Sequence, residues 1–392
     1  MVGILLRVYR ERSAIVMVAQ APAQAQGAIT FLRAAKRRNH RLGNIAYASD
    51  PAPRIVNLRN AGYLESLGLA VKSSGTYATA GPTGVDDYGK FGGPIDRITL
   101  LANSVGVLYD VNGYFAAVIS ALHSNYKYAT PFSLTKGVPD SFTATPATAA
   151  FANVWTYEIP IAIDFANLPY PVGLYQLALN AQEVQLQLRH TAIGIATASI
   201  GSGVYVGNPA NLGSSVAFTE VHQRFFDPIP QLEAQPPLSV AHTWRQFRYF
   251  LTGDGDNEIM LPTGGWYTRI IYQVVMGATT ATLAPNRNAV TRLRMTYGSN
   301  VTPYDETRDE AEARQYRSYG AALPTGMYIH DWLEDTHTER DLINSRAVTD
   351  LRAIISTSGG SYAGGAFVDV VVEQLLPIDV NSLPVVGAQG VA

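Results

Sequence analysis

Hydrophobic and polar residues alternate along much of the chain with the two-residue period of β-strands. In the segment 154–165, every second residue from Trp155 to Phe165 is aromatic or aliphatic, and most of the residues between them are polar or small. Such alternation places one row of side chains in a core and the other row on a more polar face. Because Pro160 cannot donate a ladder hydrogen bond, we expect an edge or a bulge there.

The same pattern predicts strands elsewhere, separated by clusters of Gly, Pro, Asn and Ser. We therefore expect a fold of short antiparallel strands packed as sandwiches. The further predicted strands cover residues 98–111, 184–189, 217–226, 270–276, 291–297, 351–357 and 367–376.

Two segments of the body have a helical pattern. The first, 114–123, is mostly apolar and follows Asn112-Gly113 at the end of a predicted strand. The second, 305–319, begins with acidic and ends with basic side chains, which is favourable in the field of the helix dipole. Gly320 follows it and is suited to the C-cap. We predict one helix in each segment.

The order of the predicted elements repeats. A strand that ends near Val111 leads into the first helix, and a strand that ends near Tyr297 leads into the second; three strands follow each helix. The last strand of each series is also similar, with Ala-Phe-Thr-Glu-Val at 217–221 and Ala-Phe-Val-Asp-Val at 366–370. We interpret the chain as two copies of one β-sandwich, because internal repeats indicate a repeated structural unit.

Each copy has further strands before its helix, which brings the number to seven or eight. That number is typical of a jelly roll, whose paired sheets leave few exposed edges. The predicted fold class is all-β: two tandem eight-stranded jelly-roll β-sandwiches, with a short helix in each and a basic N-terminal amphipathic helix. A proline-rich link at 228–237 suggests the boundary between the copies. The predicted domains are a basic arm at 1–42, sandwiches at 43–235 and 236–380, and a tail at 381–392.

The charge of the chain is unevenly distributed. Residues 1–41 contain eight basic residues and one acidic residue, a net charge of +7, whereas the remainder carries −9. Residues 28–38 have the pattern of a basic amphipathic helix, which can lie on an anionic surface without crossing it. The segment predicts a contact with phosphate, in lipid headgroups or nucleic acid, with a solvated tail as the alternative. The candidate contact residues are Arg33, Lys36, Arg37, Arg38 and Arg41.

The composition excludes several kinds of chemistry. The chain has no cysteine, which excludes a disulfide framework, a thiolate metal site and a cysteine nucleophile. Charged residues make up 15% of the chain, against roughly 25% in an ordinary soluble domain. Interfaces are poor in Lys, Glu and Asp and rich in aromatic residues. The low charge content, together with 22 Tyr, therefore indicates a surface that packs against copies of itself.

Two acidic clusters are candidates for a metal or catalytic site. The segment 254–258 has acids at the spacing of a calcium loop, but Ile259 occupies the position where an EF-hand requires glycine. We interpret this segment as a polar hairpin turn. The other cluster lacks the i, i+4 histidine pair of a zinc helix and is interpreted as an exposed loop. It comprises His330, Asp331, Asp335, His337 and Glu339.

Motifs for nucleophilic chemistry are equally weak. The segment 359–363 (Gly-Gly-Ser-Tyr-Ala) is one residue short of a hydrolase elbow, and we predict a loop between two strands. The remaining histidines have no partner spacing and are interpreted as ordinary surface or strand positions. We predict no enzyme activity, no cofactor and no bound metal, although carboxylate pairs for glycoside hydrolysis stay open. These histidines are His40, His123, His190, His222 and His242.

The tandem sandwiches, the matching helices, the basic arm and the short tail resemble one viral protein family. It is the double jelly-roll major capsid proteins of tailless icosahedral bacteriophages with an internal membrane, of the tectivirus and corticovirus kind. The architectural similarity covers nearly the whole chain. Two local passages are also similar to that family: 155–161 leading to Pro-Val-Gly-Leu-Tyr at 171–175, and 325–329 followed by 340–344 and 349–351.

This resemblance implies a structural role. The chain would form a pseudo-hexagonal homotrimer that tiles an icosahedral shell, with the basic arm facing an internal lipid membrane or the packaged genome. Its other partners would be neighbouring capsid trimers and the penton and minor capsid proteins. It would reside in the virion and assemble in the host cytoplasm, which agrees with the absence of cysteine.

Two other functions stay open from the sequence. A secreted tandem β-sandwich that binds carbohydrate would stack sugar rings on Trp244, Trp266 and Trp332. A hydrolase would use the acidic residues near 254–258 or 330–339.

Overall fold

The computed structural model describes most of the chain after residue 34. The described residues are 35–48, 52–76, 84–85, 95–102, 106–123, 135–136, 150–165, 168, 171–176, 183–190, 205–206, 216–227, 240–279, 282–298, 301–320, 323–333, 338, 341–362 and 365–378.

Strands dominate the described residues, with two α-helices among them. The helices are α1 (Gly113–His123) and α2 (Arg308–Tyr319). Neither helix is long and apolar enough to span a bilayer. The strands are β1 (Arg37–Ala46), β2 (Arg54–Asn57), β3 (Tyr63–Thr76), β4 (Gly84–Val85), β5 (Ile95–Ala102), β6 (Gly106–Val111), β7 (Thr135–Lys136), β8 (Ala150–Pro160), β9 (Tyr175–Gln176), β10 (Val184–His190), β11 (Tyr205–Val206), β12 (Val216–Phe226), β13 (Val240–Phe250), β14 (Gly255–Met260), β15 (Trp266–Thr279), β16 (Thr282–Pro285), β17 (Val290–Tyr297), β18 (Val301–Thr307), β19 (Met327–Asp331), β20 (Ile343–Asn344), β21 (Leu351–Thr357) and β22 (Phe367–Pro377).

Several predicted elements have different bounds in the structure. The strand predicted at 154–165 is β8, which begins earlier and ends at Pro160. Two other differences have local reasons. The strand predicted at 98–111 is a hairpin in which β5 and β6 pair antiparallel, and Gly106 begins β6 with a φ of 87°. Helix α2 begins at Arg308 because Thr307 caps it. The Thr307 side chain accepts from the Glu310 amide, and the Glu310 side chain accepts from the Thr307 amide.

Three large sheets organise the described residues. The first has the strand order β1-β12-β3-β8-β7, with β9 beside β3. The second has the order β16-β15-β22-β13-β6-β5-β10-β2, with β19 and β20 beside β15. The third has the order β14-β21-β17-β18, and β4 pairs separately with β11.

The strand orders repeat and define two sandwiches. The order β1-β12-β3-β8 corresponds to β13-β22-β15-β19, and β2-β10-β5-β6 corresponds to β14-β21-β17-β18. Helix α1 follows β6 as α2 follows β18. Eight strands in two facing sheets, connected in this way, form a jelly roll. The fold is therefore a double jelly roll, as predicted. We call β1–β12 with α1 the first sandwich and β13–β22 with α2 the second sandwich.

The two sandwiches share the ten-stranded sheet. Strand β6 of the first sandwich lies parallel to β13 of the second, with Tyr109 opposite Trp244. The hydrophobic core of the first sandwich continues across this junction and includes Trp244, Ile271 and Val371 of the second. A separate core fills the space between the two sheets of the second sandwich.

Strand β22 is buried on both faces as a result. Val370 and Val372 belong to the core of the second sandwich, whereas Val371 belongs to the core shared with the first. Asp369 and Glu373 alternate onto the same face as Val371, and both are fully buried. Because charged side chains are almost never fully buried unless they are paired, this face must also hold their partners.

Candidate functional site

Helix α1 lies between the two sandwiches, and every residue from Gly113 to Leu122 is buried. Towards the first sandwich, the Ser120 hydroxyl accepts from the Glu158 amide of β8 at 2.9 Å. Towards the second, the Tyr114 hydroxyl donates to Gln273 Oε1 of β15 at 3.0 Å. The helix therefore joins the sandwiches, and we call the contact formed by α1 and β6 with the second sandwich the seam.

The centre of the seam is a buried cluster of charged and imidazole groups. Arg269 Nε lies 2.6 Å from Asp331 Oδ2, and Arg269 Nη1 lies 3.2 Å from Glu373 Oε2. The other oxygen of Glu373 lies 2.7 Å from His242 Nε2. Arg269 Nη1 also lies 3.2 Å from Nε2 of His123, the last residue of α1. These five residues form the seam cluster, which ties four strands of the second sandwich to α1.

The electrostatics of the seam cluster depend on Arg269. Burial alone would raise the pKa of Glu373, but Arg269 and the hydrogen bonds from His123 and His242 outweigh it, so the pKa lies well below its ordinary value. Burial lowers the pKa of His123, despite the raising effect of Glu373. At neutral pH the cluster therefore holds an ionised Glu373 and a neutral His123 against the guanidinium. This arrangement is suited to holding two sandwiches together.

An ion pair at the rim of the seam has a counterpart elsewhere in the second sandwich. Arg97 pairs with Asp110 through two hydrogen bonds of 2.7 Å, and its Nη1 atom donates to Gln246 of β13 at 3.1 Å. In the second sandwich, Arg292 pairs with Asp305 in the same way. Each arginine precedes its aspartate by 13 residues. This spacing is a further sign of the internal repeat and can be read from the sequence.

A second polar cluster lies within the second sandwich beside α2. The His330 ring stacks on Tyr304 with 3.3 Å between the centroids, and Arg314 Nη2 donates to His330 Nδ1 at 3.3 Å. Arg314 also pairs with Glu306 at 2.9 Å. Burial and the charge of Arg314 lower the pKa of His330 well below its ordinary value. A cation therefore faces the histidine that was a candidate metal ligand.

The candidate cluster at 330–339 is not an exposed loop where it is described. His330 and Asp331 lie in β19, His330 beside α2 and Asp331 in the seam cluster. Asp335, His337 and Glu339 lie outside the described residues. Within the described ranges, no three His, Asp or Glu side chains are grouped to hold a metal ion.

The acidic segment 254–258 is an edge strand rather than the predicted hairpin turn. Strand β14 begins at Gly255 and pairs with β21, so Asp256 and Asn257 project to opposite faces. Asn257 is buried, and Asp256 accepts from the Ser356 hydroxyl at 2.5 Å. Local turn propensity favoured a turn, but pairing with a strand about 100 residues away determined the conformation.

The glycine-rich segment after β21 is a loop between two strands, as predicted for its described residues. Asp254 accepts from the amides of Gly359 and Gly360 at 3.1 and 3.4 Å and from the Tyr362 hydroxyl at 2.7 Å. These hydrogen bonds lower the pKa of Asp254, and the one from the Tyr362 hydroxyl has the largest effect. The carboxylate therefore anchors the loop.

Of the five basic candidate residues, Arg33 lies outside the described residues. Lys36 is exposed and precedes β1, whereas Arg37, Arg38 and Arg41 lie within β1. Strand β1 pairs with β12 along its length, so the predicted helix does not continue through Arg37 and Arg38. The pairing with β12, nearly 200 residues away in the chain, overrides the local helical pattern.

The three arginines of β1 all have acidic partners on neighbouring segments. Arg37 pairs with Glu65, Arg38 Nε lies 2.8 Å from Asp227, and Arg41 lies 3.3 Å from Glu220. The arginine side chains are about half exposed or more, and exposed pairs of this kind are weak. Their charge is nevertheless partly neutralised by the sheet to which they belong.

The tryptophans proposed for sugar stacking are mostly inaccessible. Trp244 is fully buried in the seam, and Trp266 is also buried. Trp332 is partly buried against the core of the second sandwich. The carbohydrate hypothesis therefore loses two of its three candidate side chains. Trp244 packs between His123 and His242, with 5.7 Å between its ring centroid and each of theirs.

The sequence matches no known family model and no curated protein, but the fold matches solved viral capsid proteins. The major capsid protein of STIV, the Sulfolobus turreted icosahedral virus, is 11% identical, with a TM-score of 0.64 over 89% of this chain and 99% of that chain. The PBCV-1 virus capsid is 12% identical, with a TM-score of 0.59 over 87% and 93%. The major capsid protein of bacteriophage PM2 is 11% identical, with a TM-score of 0.51 over 88% and 99%.

These comparisons confirm the predicted class of fold. The chain has the double jelly-roll architecture of viral major capsid proteins, and the similarity covers nearly the full length of both partners. One of the three is a bacteriophage protein.

Proposed function

We propose that this chain is the major capsid protein of an icosahedral virus, with a structural rather than a catalytic role. The observation that carries the proposal is the double jelly roll itself, which is shared across 87–89% of the chain with solved capsid proteins of three viruses. The protein acts in the virion after assembly in the host cytoplasm. Its partners are neighbouring capsid trimers, the penton and minor capsid proteins, and an internal membrane or the packaged genome.

The working unit of this proposal is a homotrimer. Two similar sandwiches per chain give three chains six similar corners, so that one gene product can occupy a hexagonal lattice. The described sheets support this arrangement, since the two sandwiches have the same strand order.

The purified full-length chain is expected to form trimers with a pseudo-hexagonal outline. Mass photometry gives the mass of the particle, and negative-stain electron microscopy gives its outline. A chain that stays monomeric at high concentration and forms no lattice would contradict the proposal. Binding to a glycan array by such a monomer would instead favour the carbohydrate alternative.

The basic arm is proposed to contact anionic lipid or nucleic acid on the inner face of the shell, through Arg33, Lys36, Arg37, Arg38 and Arg41. Because Arg37, Arg38 and Arg41 have carboxylate partners, the strongest attraction is expected from Arg33, Lys36 and the residues before them. Residues 1–34 contain four arginines and one glutamate. Their removal would leave β1 intact, whereas removal to residue 41 would take away half of that strand.

Deletion of residues 1–34 together with Lys36→Ala is expected to abolish binding to phosphatidylglycerol vesicles at low salt. The reason is that such contacts are electrostatic and screened by salt. Vesicle co-sedimentation at two salt concentrations measures the effect. Deletion of the uncharged residues 381–392 is the control and should leave binding unchanged. If the shortened chain still sediments with the vesicles, the arm does not make this contact.

A further inference from the structure

One face of the second sandwich is covered by the first, whereas the corresponding face of the first sandwich is covered by none of the described residues. The similar segments that start at Ala217 and Ala366 align β12 with β22. The strand registers then assign the counterparts across the neighbouring strands. Gly68 and its partner His222 occupy the places that Ile271 and Val371 have in the second sandwich. In the same way, Ala70 and Glu220 occupy the places of Gln273 and Asp369.

The two faces differ in exposure. Ile271, Gln273 and Val371 have no exposed surface, because α1 and the first sandwich lie over them. Their counterparts Gly68 and Ala70 are partly exposed. We call this counterpart surface the outer face; its residues are Gly68, Ala70 and Lys72 of β3 with Glu220, His222 and Arg224 of β12.

Helix α2 is the counterpart of α1 and is exposed where α1 is buried. Asn112 caps α1 by accepting from an amide three residues later, and Thr307 caps α2 in the same way. Counted from these capping residues, Ala121 has the same position in α1 as Tyr316 has in α2. Ala121 is buried, whereas Tyr316 is 61% exposed. Five residues of α2 are exposed: Asp309, Glu310, Ala313, Tyr316 and Arg317. All except Glu310 recur at i, i+4, i+7 and i+8, which places those four on one side of the helix.

The strands beside these two surfaces also correspond. Within the chain, β6 joins β13 through the register of Tyr109 with Trp244. The counterpart of β6 is β18, where Tyr304 and Asp305 occupy the places of Tyr109 and Asp110. The counterpart of β13 is β1. Both β18 and β1 end their sheets in the described part of the chain.

We propose that a second molecule of this chain repeats the seam. Helix α2 and strand β18 of one molecule cover the outer face and the β1 edge of the next. Tyr316 is expected over Gly68, because α1 contacts Gln273 through Tyr114 and Arg269 through His123, and Ile271 lies between those two residues on β15. This inference rests on the proposed function, because it names the surfaces that hold the trimer together. The contact is head to tail, and such contacts generate a ring when the rotation closes.

The shapes of the two surfaces are complementary. Where the covered face has Ile271 and Gln273, the outer face has Gly68 and Ala70, and where α1 has the small Ala121, α2 has Tyr316. A large side chain on the helix thus meets small residues on the sheet, which is the reverse of the seam inside the chain. Large aromatic side chains in such pockets often carry much of the binding energy of an interface.

The charges are complementary as well. Tyr114 of α1 reaches Gln273, and the counterparts of these two residues are Asp309 and Ala70. Asp309 is therefore expected next to Lys72, which follows two residues after Ala70 on the same face of β3. Lys72 already lies 2.9 Å from Glu220. Asp309 would therefore join this existing ion pair as a second carboxylate partner of Lys72.

Gly68→Trp is expected to abolish trimer formation while leaving the monomer folded. A Cβ atom at Gly68 would meet only the His222 Cβ, at an ordinary distance of 3.7 Å, so the indole would project from the outer face and exclude α2. Gly253→Trp is the matched control, since nothing lies within 4 Å of its Cβ position. Circular dichroism checks the fold of both variants, and analytical ultracentrifugation measures their mass.

Tyr316→Ala tests the opposite surface without adding bulk. We expect the dissociation constant of the trimer to rise by at least roughly 30-fold, as for the loss of an interface hot spot. Phe250→Ala is the control, because Phe250 is 70% exposed but belongs to neither surface. Trimers of unchanged affinity in both Gly68→Trp and Tyr316→Ala would overturn the proposed contact while leaving the capsid proposal intact.

Engineered cysteines give direct evidence of the contact, because the natural chain has none. When Gly68→Cys and Tyr316→Cys chains are co-expressed and oxidised, a covalent dimer is expected on a non-reducing gel, and neither variant alone should give one. The absence of the dimer from trimeric protein would contradict this contact. A wild-type chain that never trimerises would instead contradict the proposed function itself.

Discussion

Replacement of Arg269 by leucine is expected to lower the free energy of unfolding by about 3–5 kcal/mol. Arg269 is the cation that faces both Glu373 and Asp331 in the seam cluster, and both carboxylates are buried, with side-chain exposures of 0% and 3%. Without the guanidinium, two negative charges would stay in the interior with no cation between them. Denaturant titration at pH 7, at a fixed protein concentration, measures the change.

Two further variants show whether this loss of stability is specific to the buried Arg269 or would follow from the removal of any arginine. Arg352 lies between the exposed Glu258 and Asp350, and Arg352→Ala is expected to change stability by less than about 1 kcal/mol. Arg269→Lys retains the charge but not the planar fork that binds two carboxylates, so its stability should lie between those of the wild type and Arg269→Leu. If Arg269→Leu were as stable as Arg352→Ala, the seam cluster would not hold the sandwiches together.

The stability of the chain is expected to fall as the pH decreases below 6.5, with His330 as a principal cause. The pKa of His330 in the folded chain lies well below its unfolded value of 6.5, because of burial and the charge of Arg314. Below pH 6.5 the unfolded chain therefore binds more protons than the folded chain, and the free energy of unfolding decreases. The slope from one such histidine is at most about 1.4 kcal/mol per pH unit. His123, whose pKa is also lowered mainly by burial, adds to the loss in the same direction.

The contribution of His330 is isolated by two variants. His330→Phe keeps an aromatic ring against Tyr304 and removes the titrating group, so the loss of stability between pH 6.5 and 5 should be smaller than in the wild type. Tyr304→Phe keeps His330 and its slope. Parallel stability curves for the wild type and His330→Phe would show that His330 is not responsible. Glu373 acts in another range, since its lowered pKa gives stability that is lost only below its unfolded value of 4.5.

Local patterns were a reliable guide to most strands and to the repeat. The alternation at 184–189 predicted β10, and the segment 351–357 predicted β21 with the same bounds that the structure has. Alternation works because the two faces of a strand meet different surroundings along its whole length. The repeat could be recognised from local patterns too, because both sandwiches contain strands and a helix in the same order along the chain.

The functional surfaces depended on contacts between distant residues. His123 and His242 had no partner spacing in the sequence, yet both contact Glu373, which is 131 residues from His242. Asp369 and Glu373 interrupt the apolar run of β22, and alternation alone would assign them to solvent. Glu373 is buried where His123 of α1 lies against it, and Asp369 is buried where Arg248 of β13 pairs with it through two hydrogen bonds.

The basic segment illustrates the same limit. Its charge is evident from composition, but whether an arginine attracts phosphate depends on which carboxylate lies beside it. Glu220 lies 179 residues from Arg41, and only the pairing of β1 with β12 brings them together. The positive charge of the segment can therefore be read from the sequence, whereas its partial neutralisation can be seen only in the folded structure.

The sequence by itself determined that this chain is a cysteine-free, all-β protein with two copies of one sandwich, because strand period and element order are local properties. Only the tertiary structure decided that the sandwiches share a sheet, that α1 and the seam cluster join them, and that α2 and the outer face are left uncovered by the described residues. Those features arise from pairs of residues more than 100 positions apart, and no local pattern specifies which distant partner a strand or a charge will meet.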